Sequence, residues 1–215
     1  MMKNVEVHSS VKDERLIRVR RDQMIKGAIS LFKQKGFHRT TTREIAKASG
    51  FSIGTLYEYI EKKEDVLYLV VDRIYDEVKE RLKESIDTAL GTIEGLKSAI
   101  AAYFRVMNDM QDEVLVMYQE AKSLTKDALP YVLNKELQMV QMFEDILTLC
   151  VKQKEIIMSE KEIQLCAHNI FVLGQMWGFR RWALHSMVSI EDYIEMQTRL
   201  ILEGLTKREN KEDEK

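Results

Sequence analysis

The amino-acid sequence predicts an all-α fold, and two observations carry this prediction. The first is a shortage of loop residues: 215 positions include nine glycines and one proline, while 45% of the chain is apolar. Abundant Leu, Glu, Lys, Met and Ala favour helices over strands. The second observation is that apolar residues recur every three to four positions, as they do on the buried side of a helix.

Residues 15–35 form the first predicted helix, and Gly36 is expected to end it. Its apolar side consists of residues at positions i, i+3, i+4 and i+7: Ile25, Ala28, Ile29 and Phe32. A second, short helix follows, because Thr41 and Glu44 have the spacing of a reciprocal capping pair.

The next feature is an abrupt break at Gly50 inside this helical segment. Glycine lets the chain reverse, and Ser52 can cap a third helix immediately afterwards. Residues at fixed distances from the glycine then point inward: Ile45, Ala46, Phe51 and Leu56. This spacing predicts a helix-turn-helix, whose second helix contacts bases in the DNA major groove. The pattern alone leaves an ordinary helical hairpin open as the alternative.

The outer face of the third helix supplies the groups that would meet DNA. It presents Ser52, Ile53, Gly54, Tyr57 and Glu58. The surplus of basic residues lies in the same part of the chain: residues 1–65 hold 14 Lys and Arg against 9 Asp and Glu, a net charge of +5. The rest of the chain holds 19 against 26, a balance of -7, so only the first third favours a polyanion.

The segment GFHRTTTREIAKASGFSIGTLYEYIEKKEDVL resembles the TetR/AcrR family of bacterial transcriptional regulators. It has that family's aromatic after Gly, Thr-Thr, Ile-Ala, Gly, Gly-Thr-Leu-Tyr and Lys-Glu-x-x-Leu. The resemblance spans residues 20–71. It implies an N-terminal three-helix helix-turn-helix domain, joined by a bridging helix to a C-terminal helical domain for ligand binding and dimerisation.

The resemblance also implies roles for single residues. Arg43 would reach a guanine edge, and phosphates would be held by Thr42, Thr55, Tyr57 and Lys63. Tyr59 stands where many relatives have His, so a phosphate contact and packing against the first helix are both open. The full predicted DNA-binding set is Thr42, Arg43, Ser52, Ile53, Gly54, Thr55, Tyr57, Tyr59 and Lys63.

Two acidic residues, Glu58 and Glu61, depart from the family pattern by placing negative charge near the expected phosphates. Basic residues that could compensate precede and begin the first helix: Arg15, Arg18, Arg20 and Arg21. An arm using them would add salt-dependent affinity for DNA, while a solvated helix face is the alternative.

Four parts are predicted along the chain: a flexible arm at 1–14, the helix-turn-helix domain at 15–62, the effector-binding and dimerisation domain at 63–206, and a charged disordered tail at 207–215. A bridging helix is expected over residues 63–90, followed by five helices. Capping signals at Ser159 with Glu162, and at Ser189 with Asp192, mark two of the starts.

The resemblance implies an effector cavity and a dimer interface in the larger domain. The predicted effector residues are Tyr103, Met107, Tyr118, Met139, Phe143, Met176, Trp177 and Arg181. The predicted dimer residues are Gly174, Gly178, Tyr193, Gln197, Leu200 and Ile201. Arg180 and Arg181 interrupt an apolar helix, so either an acid such as Glu113 or Glu120 or an acidic effector would pair with them.

Other functional classes lack sequence support. Nothing matches a metal site, a phosphate loop or a nucleophile motif, so we expect no enzyme, cofactor or metal. Cys150 and Cys166 are read as reduced thiols. No apolar run is long enough for a membrane, and no signal peptide begins the chain, so a cytoplasmic protein is expected.

These observations predict a homodimeric repressor that binds a palindromic double-stranded operator and is released by a small apolar or acidic effector, such as a fatty acyl thioester or an aromatic acid. A ligand-independent architectural DNA binder or a protein-interaction module on the same fold is the alternative.

Overall fold

The computed structural model describes residues 7–85 and 91–206 of the chain. Within these ranges the chain is helical and has no β-strand, which confirms the all-α prediction. The α-helices are α1 (Glu14–Arg39), α2 (Thr42–Ala48), α3 (Ile53–Tyr57), α4 (Lys63–Ser85), α5 (Ile93–Asp109), α6 (Gln111–Glu120), α7 (Ala128–Lys152), α8 (Glu160–Phe179), α9 (Arg181–Leu184) and α10 (Ile190–Thr206). Within the described ranges, no helix has both the length and the apolar character that crossing a membrane requires.

The helix boundaries follow the local signals in the sequence. Gly36 has φ 77° and interrupts α1, as expected of a helix-ending glycine. Thr41 and Glu44 form the predicted capping box of α2, and Ser159 begins α8 in the same way. The predicted end of the bridging helix near residue 90 and the tail at 207–215 lie outside the described residues.

The described chain divides into two compact units. The first contains the residues up to Glu77 together with Asp112–Glu136, and the second contains Val78–Gln111 with the residues from Leu137 onward. The first unit therefore includes α6 and the start of α7 in addition to α1–α3. The domain limit at residues 62 and 63 stays a prediction.

The core of the first unit joins the helix-turn-helix to α4. Phe32, Phe37 and Leu56 are buried there, as are Val70 and Ile74 on the inner side of α4. Burying side chains of this size stabilises the fold by roughly 1.5–3 kcal/mol each. Polar contacts tie the start of α7 to α4: Lys135 is ion-paired with both Asp72 and Asp76.

An aromatic cluster fills the core of the second unit. Tyr103 of α5 is fully buried, and its hydroxyl donates to the carbonyl oxygen of Phe171 on α8 at 3.0 Å. The two rings stack with centroids 5.8 Å apart, and Phe143 of α7 meets Tyr103 edge-on at 5.3 Å. Trp177 and Tyr193 extend the cluster. Close ring contacts of this kind fix α5, α7, α8 and α10 against each other.

Candidate functional site

The turn between α2 and α3 has the geometry of a helix-turn-helix. Gly50 has φ 74°, a conformation that costs other residues energy, and the amide of Phe51 donates to the carbonyl of Ala46 at 2.8 Å. Leu56 is fully buried beneath the turn. Ser52 caps α3, because its hydroxyl accepts the amide hydrogen of Thr55 at 3.0 Å.

The predicted base-contacting groups lie on one exposed face made by α2 and α3. The exposed members are Arg43, Ser52, Ile53, Gly54 and Tyr57, while Thr42 and Thr55 are half-buried. The phenol of Tyr57 donates to the hydroxyl of Thr42 at 3.2 Å, so the two helices present their polar groups together. A guanidinium, three hydroxyls and a phenol can bond to base edges and phosphates.

Gly54 is an exposed position of α3 that carries no side chain. A Cβ added at Gly54 would meet only the Ser52 hydroxyl, at 3.7 Å, which is an ordinary contact. No residue in the described part of the chain therefore requires a glycine there. The missing side chain instead lets another molecule approach the backbone of α3 closely.

The start of α2, which carries Arg43, is fixed by a charged capping network. Glu44 accepts from the backbone and hydroxyl of Thr41, and Lys35 donates to the same carboxylate at 2.5 Å. The Lys35 bond, followed by the Thr41 bonds, lowers the pKa of Glu44 to about 2. Glu44 is therefore ionised at neutral pH. Its negative charge stabilises the N-terminal end of α2, where the helix dipole is positive.

Two members of the predicted DNA-binding set have structural roles. Tyr59 is 3% exposed, so its ring is part of the core, and a phosphate contact by Tyr59 stays a prediction. Lys63 donates to the carbonyls of Phe37 and Thr40 at 3.1 Å and lies 4.1 Å from the centre of the Phe37 ring. Its ammonium is thus engaged in holding the turn before α2. Sequence spacing could not show this, because the partners are more than 20 positions away.

Part of the predicted N-terminal arm contacts the helix-turn-helix. Residues 7–13, which we call the N-terminal arm, are placed against α1 and α3, and Val7 is buried. Residues 1–6 of the predicted flexible segment lie outside the described residues. Glu61 lies 3.8 Å from the His8 ring nitrogen, and the Glu58 side chain is exposed.

The acids proposed as partners of Arg180 and Arg181 have other contacts. Glu113 pairs with Lys33, and Glu120 accepts the amide hydrogen of Phe37. Arg180 itself is exposed and lies over the Trp182 ring, at 5.1 Å from its centre. Exposure to solvent therefore removes the need for an acidic partner at Arg180.

The predicted effector residues are mostly packed side chains. Those that are 3% exposed or less are Tyr103, Met107, Met139, Phe143 and Trp177. Tyr118 is 60% exposed, whereas Met176 and Arg181 are half-buried. Two surface grooves of about 260 and 490 Å³ lie in the second unit, and neither is lined by any residue of this set. The effector role of the set stays a prediction.

Half of the predicted dimer residues belong to the chain's own core. A Cβ on Gly174 would lie 2.3 Å from the Tyr103 ring, and Gly178 approaches the backbone of Gln111. Tyr193 is 3% exposed and donates to the carbonyl of Leu173 at 2.7 Å. Close packing inside the chain thus uses Gly174 and Tyr193, whereas Gly178 is buried but a Cβ there would make only an ordinary contact at 3.6 Å. Leu200 is 61% exposed, and Gln197 and Ile201 are half-buried.

The geometry agrees with comparisons to known proteins. Residues 24–68 match the family model described as bacterial regulatory proteins, tetR family. The HTH-type transcriptional regulator HbdR of Aromatoleum sp. (strain CIB) is 28% identical over 197 residues, which cover 92% of this chain and 85% of HbdR.

Solved structures show the same fold. A bacterial regulatory protein in the tetR family from Rhodococcus RHA1 has a TM-score of 0.75 at 22% identity, covering 86% of this chain and 96% of that one. AibR, solved in complex with isovaleryl coenzyme A and operator DNA, has a TM-score of 0.70 at 17% identity, covering 84% and 97%. Residues 24–68 thus match the DNA-binding part of the TetR family of bacterial regulatory proteins, and the relatives that match over longer stretches of the chain are HTH-type transcriptional regulators.

Proposed function

We propose that this protein is a ligand-responsive repressor that binds a palindromic operator as a homodimer. The observation that carries the proposal is that Arg43 of α2 and Gly54 and Tyr57 of α3 are exposed, while the hydrogen bond from Tyr57 to Thr42 joins the two helices. Arg43 would bond a guanine through two donors, while Thr42, Thr55 and Tyr57 would hold phosphates. Occupying a promoter in this way blocks polymerase, and such a protein works in the cytoplasm.

A homodimer is part of the proposal, because a helix-turn-helix contacts two half-sites about 34–36 Å apart. Support comes from exposed apolar side chains on α8 and α10: Leu165 (63% exposed), Val172 (49%), Met196 (45%) and Leu200 (61%). Leu165 and Val172 are seven positions apart, so they lie on one side of α8. Two copies of this surface would form a four-helix contact.

An effector would act by shifting the dimer between forms with different spacing of the two α3 helices. It can do so only if it binds the two forms with different affinities. A fatty acyl thioester is the first class to examine, because AibR was solved with isovaleryl coenzyme A. Aromatic acids are the second class.

One observation favours the alternative of a ligand-independent DNA binder. The rings of Tyr103, Phe143 and Phe171 fill the interior where the resemblance implies a cavity. A thermal shift series with acyl coenzyme A thioesters and aromatic acids separates the two functions. Stabilisation that saturates supports the repressor released by a ligand, whereas no shift with either class supports the alternative.

DNA binding is tested by fluorescence anisotropy with the DNA upstream of the protein's own coding sequence, across a salt series. We expect Arg43→Ala to weaken specific binding by about 1–3 kcal/mol. Arg43→Lys is the matched control, since it keeps the charge but loses the two-donor geometry. Equal binding by Arg43→Lys and wild type would show that Arg43 contacts phosphate instead of a base.

A further inference from the structure

The N-terminal arm contacts the C-terminal end of α3, the helix proposed to contact bases. The carbonyl oxygen of Glu58 accepts the Ser9 hydroxyl at 2.8 Å, the Ser10 amide at 2.9 Å and the Ser10 hydroxyl at 3.3 Å. Three donors thus converge on one carbonyl. They come from residues almost 50 positions earlier in the chain.

Arg21 of α1 completes this contact. Its Nη2 donates to the carbonyl of Val7 at 2.6 Å and to the carbonyl of Tyr59 at 3.1 Å, so one nitrogen joins the arm to the residue after Glu58. The Arg21 Nε is buried without a hydrogen bond among the described residues. Burial lowers the Arg21 pKa, and the Asp65 charge opposes this change.

These contacts matter because α3 is short. A five-residue helix has few internal hydrogen bonds, and its last carbonyls, those of Thr55 and Leu56, accept from the amides of Glu58 and Tyr59 just beyond the helix. Ser52 caps its start and Leu56 anchors its inner side, but the exit of the helix is held by the arm and Arg21. A small rotation of α3 would move Tyr57 and Gly54 relative to the bases.

We propose that residues 7–10 and Arg21 position α3 for sequence-specific DNA binding. The proposal rests on the proposed function of this face. Arg21 is then a positioning residue, because its Nη2 is occupied by two backbone carbonyls. Arg18 is a matched control: it lies one helical turn earlier on α1 and is exposed.

The first experiment compares full-length Arg21→Met and Arg18→Met proteins by fluorescence anisotropy on the upstream DNA and on a scrambled duplex. We expect Arg21→Met to lose about tenfold in affinity for the upstream DNA, from the loss of charged hydrogen bonds. Its affinity for the scrambled duplex should match that of Arg18→Met, since both lose one positive charge. The proposal would be overturned if Arg21→Met, compared with Arg18→Met, lost the same factor in affinity for the scrambled duplex as for the upstream DNA.

The second experiment measures amide hydrogen exchange without DNA. Arg21→Met and Ser9→Ala should each speed exchange at the amides of Leu56, Glu58 and Tyr59, while Arg18→Met should not. Unchanged exchange in both variants would overturn the proposal. If the wild type does not distinguish the two duplexes, the proposed function fails, while the exchange result still decides whether the arm holds α3.

Discussion

The carboxylate of Glu120, at the end of α6, accepts the backbone amide hydrogen of Phe37 at 3.0 Å, although 83 positions separate the two residues. Phe37 directly follows Gly36, where α1 is interrupted, and its carbonyl accepts from Lys63 of α4. The turn that leads into α2 is therefore held from two sides. Glu120 is 8% exposed, so water cannot replace it easily.

We expect Glu120→Leu to lower the free energy of unfolding by about 1–3 kcal/mol, because it leaves the buried Phe37 amide without an acceptor. Glu120→Gln keeps an acceptor oxygen and should lose less. Urea denaturation of the two variants and wild type measures the difference. Equal losses would show that the charge of Glu120, and not its acceptor, stabilises the turn.

Acid should weaken the start of α2 through Glu44. Its pKa is about 2 in the folded protein, against an ordinary value of 4.5, so its contribution to stability is fully present above pH 4.5. That contribution is lost as the pH falls from 4.5 towards 2. Thermal unfolding of wild type and Glu44→Gln across this range checks the prediction. The difference in unfolding temperature between the two proteins should become smaller as the pH falls. A difference that stays constant would contradict the prediction.

A methyl group at position 174 should not fit. Because the added Cβ of Gly174→Ala would lie 2.3 Å from the Tyr103 ring, the aromatic core must shift, at a cost of about 1–3 kcal/mol. Gly204→Ala on α10 is the control, since no atom of residues 7–85 or 91–206 lies within 4 Å of its added Cβ. That variant should gain up to about 1 kcal/mol from helix propensity. Chemical denaturation measures both, and a stabilised Gly174→Ala would contradict the packing described.

A charge on the exposed side of α8 should weaken the proposed dimer. We expect Leu165→Glu to raise the dimer dissociation constant by roughly tenfold or more, because a carboxylate would be buried without a partner. Leu133→Glu on α7 is the matched control, as Leu133 is 48% exposed outside the proposed interface. Sedimentation equilibrium measures both constants. A similar effect of the two substitutions would place the interface elsewhere.

Local chemistry determined what the sequence could predict. The capping pairs at Thr41 and Ser159 involve partners three residues apart, and the turn at Gly50 depends on one glycine's backbone freedom. Interactions of this range are fixed by neighbours in the chain. The helix-turn-helix and the outer side of α3 followed from the same spacing, whereas the role of Arg43 came from the resemblance to the TetR/AcrR family.

Tertiary structure decided the contacts between residues far apart in sequence. The sequence did not show that Lys63 and Glu120 hold the turn before α2. Nor did it show that Gly174 leaves space for the Tyr103 ring of its own chain. The N-terminal arm was predicted to be flexible, yet it meets the end of α3. The physical reason is that a side chain's partner depends on which helices pack together, whereas caps and turns depend only on adjacent residues.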